Sequence, residues 1–113
     1  MTDTTLREVQ QTVDEWVQNY AGGYWEPLAI LARLVEEVGE TARLLNHLHG
    51  PKQKKATEDT QELGEEIADI LYTLVCLANV EGVDMQQSFD RVMAKLKRRD
   101  AGRFSAQGTD DAH

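Results

Sequence analysis

Four carboxylates draw attention by their spacing. Glu37 and Glu40 lie three residues apart in "LVEEVGETARL", and Glu66 and Asp69 lie three apart in "ELGEEIADILYTL". Residues at that separation are neighbours on a helix surface, so each pair is a like-charge contact costing roughly a few tenths of a kcal/mol even in water. On a helical wheel both pairs flank an apolar stripe. Two such helices packed side by side would gather four carboxylates into one cluster, which destabilises the chain unless a cation neutralises it. Oxygen ligands without His or Cys suit hard ions, Mg²⁺ or Mn²⁺. A single acidic pair in a helix is usually part of a solvated face, and Glu36, Glu62 and Glu65 have that reading; two pairs beside two apolar stripes are a stronger signal.

The elements that must carry these groups are helical. The chain has 113 residues, 41% hydrophobic and 28% charged, with two prolines. It is rich in Leu, Ala, Glu, Gln and Arg, so one all-α domain is expected. A first helix spans about Thr5 to Tyr20, with Thr4 or Thr5 as its cap, and "AGG" ends it. Pro27 opens a second helix whose stripe Leu28, Leu31, Leu34, Val35, Val38, Ala42, Leu45 runs to about Leu48. The connector "GPKQKKATEDT" reads as a mobile, solvated loop; Lys52, Lys54 and Lys55 have a weaker alternative as a cover over phosphates. The third helix runs from about Asp59 to Glu81. Asp84 caps the fourth, with Gln87 three residues on as in a capping box. The tail from Ser105 to His113 is small, polar and acidic and reads as disordered.

The third helix is apolar almost all round: Leu63, Ile67, Ile70, Leu71, Leu74 and Leu77 make one face, and Tyr72, Val75, Cys76 and Val80 cover much of the rest. Such a helix is buried on most sides. Four short helices cannot provide that cover alone, so a second subunit is expected, as a homodimer or a dimer of dimers.

A net charge of −8 opposes a nucleic-acid binder driven by surface attraction, the basic "KLKRRDAGR" notwithstanding. No stretch approaches the roughly 18 apolar residues of a membrane span, and the first residues lack the pattern of a leader, so a cytoplasmic location is expected. The lone Cys76, among apolar neighbours, reads as a packed thiol. There is no phosphate-cradling GxxxxGK loop, and neither His47 nor His49 stands three residues after a Glu, which removes P-loop and di-iron chemistry; the two histidines read as the end of the second helix.

"EEVGETARL" followed by "EEIADILYTLVCLAN" resembles the ExxE and ExxD signature of the MazG-like nucleotide pyrophosphohydrolases, in the all-α NTP pyrophosphatase group. "GYWEPLAILARLVEEVGE", "NHLHGPKQKKATE" and "VMAKLKRRDAGRF" are similar to the short, single-domain members, so the resemblance covers nearly the whole chain. It implies a four-helix MazG-like bundle over residues 1–104, completed by homo-oligomerisation. It implies Glu37, Glu40, Glu66 and Asp69 as Mg²⁺ ligands, with Mn²⁺ a substitute. The implied activity is hydrolysis of nucleoside triphosphates to monophosphate and pyrophosphate, a house-cleaning of unwanted or surplus nucleotides.

Such chemistry needs a general base, for which Glu36 or Glu37 is the candidate. Arg91, Lys95 and Arg98 recur at i, i+4 and i+7 as a basic edge; the resemblance implies phosphate contact for Lys95 and Arg98, against the plainer reading of cations near a helix C-terminus. Asn79 resembles the Asn of the family's "LAN" segment and is a candidate to orient phosphate or sugar, or else a buried Asn hydrogen-bonded across a dimer. Trp25, before Pro27, could stack on a base or cover the helix end. Trp16 fits the core stripe. The rival to the enzyme reading is a non-catalytic nucleotide-binding or helical interaction module with the same fold, whose mark would be a missing ligand.

Overall fold

The computed structural model describes residues 3–50 and 60–107, with no strand among them. They form α1 (Leu6–Tyr20), α2 (Pro27–His49), α3 (Thr60–Glu81) and α4 (Met85–Gln107). The expected all-α class is observed. The lysine-rich connector with Lys52, Lys54 and Lys55 and the last residues, 108–113, lie outside the described residues; α4 itself continues to Gln107, beyond the domain end expected at 104.

The start of α1 is set by Thr5, whose extended backbone precedes a full capping box: Glu8 N–H donates to Thr5 Oγ1 at 3.1 Å and Thr5 N–H donates to Glu8 Oε1 at 2.7 Å. At Asp84, where the same device was expected, Gln87 N–H donates to Asp84 Oδ1 at 3.1 Å. The side chain of Gln86, rather than that of Gln87, is put to use: its Oε1 accepts from Leu6 N–H at 3.0 Å. Gly22 and Gly23 close α1 with φ of 84° and 101°, a backbone that costs an L side chain about 1–2 kcal/mol. That turn lets the chain reverse into Pro27 within six residues of Ala21 (27 − 21).

Early residues of α2 meet late residues of α3, Ile30 against Val75 and Cys76, so the two helices run antiparallel. They form the most extensive packing in the chain, and α1 lies along α3 with Val13 and Val17 in the same core. Tyr24, Tyr72, Leu77 and Met85 close around this cluster.

The apolar residues divide into two sets. Val75 is 0% exposed and Leu44 2%. By contrast Leu28 is 78% exposed and Val35 63%, and they continue as a row through Leu31, Val38 and Leu45 on α2. On α3, Ile67, Leu71 and Leu74 form a second exposed row, and on α4 Phe89 and Val92 a third. Spacings that alternate between three and four residues are those of helix-packing seams. Helix α3 is therefore two-faced as expected, with one face covered by its own chain and one uncovered. Trp16 corrects the sequence reading: it is 52% exposed and stacks on Tyr20 with ring centroids 5.4 Å apart, outside the core. The helical period places Trp16 beside Val13 and Val17 but does not say how far round the stripe the core reaches.

Candidate functional site

Antiparallel packing of α2 on α3 brings the two acidic pairs to the same level. Carboxylate oxygens of Glu37, Glu40 and Glu66 lie within 4.8 Å of one another. Asp69, one turn further along α3, is exposed and stands outside this triple, yet its charge acts on Glu66. Two threonines set the local backbone: Thr41 Oγ1 donates to Glu37 O at 2.9 Å and Thr73 Oγ1 to Asp69 O at 2.9 Å, each taking up the carbonyl four residues back.

Glu66 is the strained member. Its Oε1 is buried without a hydrogen-bond partner. Desolvation pushes its carboxyl above the ordinary range, a contact with the Glu37 carboxyl adds to this, and the charges of Glu40, Glu37 and Asp69 push the same way. A buried acceptor left open among like charges is the arrangement a cation relieves. Three oxygen donors with no His or Cys match a hard divalent ion.

Arg33 connects this cluster to a recess. Its Nε pairs with Glu37 Oε2 at 3.1 Å, one helical turn away, while its guanidinium lies over the Trp25 ring at 5.8 Å from the centroid. Trp25, Tyr24, Arg33, Tyr72, Thr73 and Cys76 line a cavity of about 200 Å³ between α1, α2 and α3. Burial pushes the Cys76 thiol up, so it is a packed, unreactive group. Trp25 is 56% exposed and forms part of the cavity wall. Tyr24 was one of the aromatic rings the sequence offered for a base, beside Trp16 and Trp25; Arg33 was not singled out, although the signal for it was present, a cation four residues before Glu37, where helix geometry makes pairing local.

The remaining candidates fall elsewhere. Glu36 is exposed beside Glu37. Asn79 is engaged at the opposite end of α3, within the chain: its Nδ2 donates to Gln10 O at 3.1 Å and to Tyr24 Oη at 2.9 Å, and its Oδ1 accepts from Gln10 Nε2 at 2.8 Å. Lys95 and Arg98 are exposed on α4, a helix whose main packing is on α1.

The described residues thus form an all-α fold with a carboxylate cluster on paired helices and an aromatic recess beside it. The family model of the MazG nucleotide pyrophosphohydrolase domain matches residues 26–104. The chain is 47% identical over 105 residues to the uncharacterized protein YpjD of Bacillus subtilis (strain 168), covering 93% of this chain and 95% of that one. The crystal structure of Bacillus subtilis YpjD superposes with a TM-score of 0.76 at 48% identity, over 84% of this chain and 97% of that chain. The Bacillus-conserved MazG protein, a nucleotide pyrophosphohydrolase, gives 0.72 at 34% identity over 85% and 93%. This chain belongs to the MazG nucleotide pyrophosphohydrolase family. No described helix is long and apolar enough to cross a membrane.

Proposed function

We propose that the protein hydrolyses nucleoside triphosphates, ribo or deoxy, to the monophosphate and pyrophosphate, in a cytoplasmic house-cleaning of unwanted or surplus nucleotides. The observation that carries this reading is the triple Glu37, Glu40 and Glu66, with Oε1 of Glu66 buried and unpartnered, joined through Arg33 to a recess walled by Trp25. Family membership supports the reaction class.

Glu37, Glu40, Glu66 and Asp69 would hold Mg²⁺, with Mn²⁺ as substitute. Bound there, such an ion would supply charge neutralisation for the phosphates and a water acidic enough to attack near neutral pH. The chain's own groups do the rest. Arg33 fixes the rotamer of Glu37, so the carboxylate needs no reorganisation when substrate arrives. Glu36 or Glu37 takes the proton from the attacking water. Trp25 and its neighbours receive the base on an apolar wall with one charged edge. Lys95 and Arg98 hold the outgoing pyrophosphate. Asn79 orients the sugar or phosphate by positioning Tyr24, which its side chain contacts and which lines the recess.

The exposed seams of α2, α3 and α4 support a homodimer or dimer of dimers, because a monomer leaving these rows in water would forgo roughly 1.5–3 kcal/mol for each large side chain left unburied. The test of function is release of pyrophosphate from a panel of ordinary and modified nucleoside triphosphates with Mg²⁺, Mn²⁺ or EDTA. Metal-dependent release, lost in Glu37→Gln and Asp69→Asn, is expected. Nucleotide binding without turnover across the panel would favour a non-catalytic module.

A further inference from the structure

The recess beside the carboxylates has a depth and a direction. Arg33 stands one helical turn before Glu37 on α2, and Thr73 stands one turn after Asp69 on α3. Because the two helices run antiparallel, both steps lead the same way, from the acids into the recess. Each step is about 6 Å along the helix, which leaves room for a sugar between phosphates at the acids and a base inside. The cavity of about 200 Å³ lies below the roughly 300 Å³ at which sites for drug-sized ligands begin, so it takes a base and leaves the sugar outside. Within it, Thr73 is 4% exposed, whereas the Arg33 side chain is 42% exposed and the Trp25 ring beneath it is open to solvent as well. Thr73 is therefore the deep group and Arg33 the group at the mouth.

The polar atoms of the recess differ in what they can still offer. Tyr24 Oη donates to Asp14 and accepts from Asn79, and the Tyr72 hydroxyl is engaged with Cys76 and Trp16. Thr73 Oγ1 gives its hydrogen to Asp69 O at 2.9 Å, and a hydroxyl whose hydrogen is taken has only lone pairs left for a ligand. Arg33 is the reverse: Glu37 takes its Nε at 3.1 Å, and a guanidinium carries further N–H donors and no acceptor. The recess thus has a donor at its mouth and an acceptor deep inside, on walls that Val17, Ala21 and Ile30 make apolar. A base enters with the edge remote from its sugar first. In cytosine that edge carries an exocyclic amino group, and the acceptor O2 lies beside the glycosidic bond; adenine has its amino group and N3 in the corresponding places. Uracil, thymine, hypoxanthine and guanine put a carbonyl oxygen at the remote edge, where it would face the lone pairs of Thr73.

We propose that Thr73 is a specificity residue that reads the exocyclic amino group of the base, so that cytosine and adenine nucleotides are preferred to the oxo bases uracil, thymine, guanine and hypoxanthine. Arg33 holds the acceptor beside the sugar. The preference rests on the nucleotide reading given above and narrows it: the house-cleaning falls on surplus amino-base nucleotides and not on deaminated ones. An oxo base sets two acceptors against each other in a buried place, which costs a factor of about ten or more.

Matched substrates test this. CTP and UTP, and likewise ATP and ITP, differ at the remote edge, amino against oxo with the ring nitrogen beside it following, and are alike toward the phosphates. With Mg²⁺, wild type should favour the amino member of each pair by about tenfold or more in kcat/KM. Thr73→Ser, which keeps the hydroxyl, should retain the preference, and Thr73→Val, which keeps the shape without it, should bring both ratios close to one. Equal turnover of the two members by wild type, a preference that survives in Thr73→Val, or one that is lost in Thr73→Ser overturns the proposal and leaves the hydrolase reading standing. A second readout needs no turnover: binding of CMP and of UMP by calorimetry. CMP should bind wild type about tenfold more tightly than UMP, and the two should bind Thr73→Val alike. Equal affinities in wild type, or no binding of either, overturns the proposal. Should wild type release no pyrophosphate from any triphosphate, the function proposal falls while the monophosphate comparison still decides what the recess reads.

Discussion

Two polar clusters each take one residue from α3, Asn79 and Glu66, and they are built on opposite terms. Near the C-terminal end of the helix, Gln10, Asn79, Tyr24 and Asp14 form a closed network: Gln10 Nε2 donates to Asn79 Oδ1 and to Val83 O at 2.8 Å each, and Tyr24 Oη donates to Asp14 Oδ1 at 2.7 Å. Each donor there meets an acceptor. Roughly three and a half turns back along α3, Glu66 crowds together with Glu37 and Glu40, and its Oε1 is buried and unpartnered. The first cluster lowers the free energy of the fold by joining α1, α3 and the start of α4. The second raises it. A chain that completes one network and leaves the other open shows where stability is given up for binding.

If this contrast holds, substitutions in the two clusters have opposite effects. The largest is on turnover. Glu66→Gln is isosteric and removes one anion, and it should lower metal-dependent pyrophosphate release by more than about 100-fold, the upper end of what outer-shell changes around a metal cost. Residual activity within tenfold of wild type would show that Glu66 is not a required ligand. The network responds in stability instead. Gln10→Ala strips partners from Asn79, Val83 and Met85, and urea unfolding should show a loss of about 2 kcal/mol. A loss near zero would mean that water replaces the amide at no cost.

The smallest effect concerns pH. Burial and then the hydrogen bond to Asp14 push the Tyr24 phenol up from 10.0 to about 12. The protonated phenol is therefore the form the fold prefers. Its contribution is fully present below about pH 10 and is lost as pH rises from 10 through 12. Spectroscopic titration should find a tyrosine ionising late, and Tyr24→Phe should remove that step. An unchanged titration curve would place the late phenol elsewhere.

Much of the fold could be read from the residues. Thr5, the two glycines after Ala21, Pro27 and Asp84 mark helix ends through local chemistry, and the observed bounds follow them. The acidic pairs were legible because i, i+3 spacing fixes a common helix flank without any tertiary information. Which apolar row faces the chain's own core was not legible. Leu28, Leu31, Val35 and Val38 have the period of a core stripe, and periodicity records that a face is to be covered, not what covers it. Trp16 was misplaced for the same reason. Asp69 shares its spacing with Glu66, but the antiparallel stagger of α2 on α3 decides which three carboxylates converge, and that is a tertiary quantity. Arg33 was overlooked because its pairing with Glu37 is local, whereas its meaning depends on the recess it borders.

The central claim is that the carboxylate cluster is a metal site and the amide network a structural joint. Calorimetric melting of wild type, Glu66→Gln and Gln10→Ala at neutral pH, with and without Mg²⁺, tests it most directly. Wild type should gain about 2.7 kcal/mol at a hundredfold excess of metal over its dissociation constant. Gln10→Ala should start lower and gain the same increment. Glu66→Gln should start higher, freed of one buried anion, and gain far less. Equal gains in Glu66→Gln and wild type, or no gain in wild type, would contradict the account.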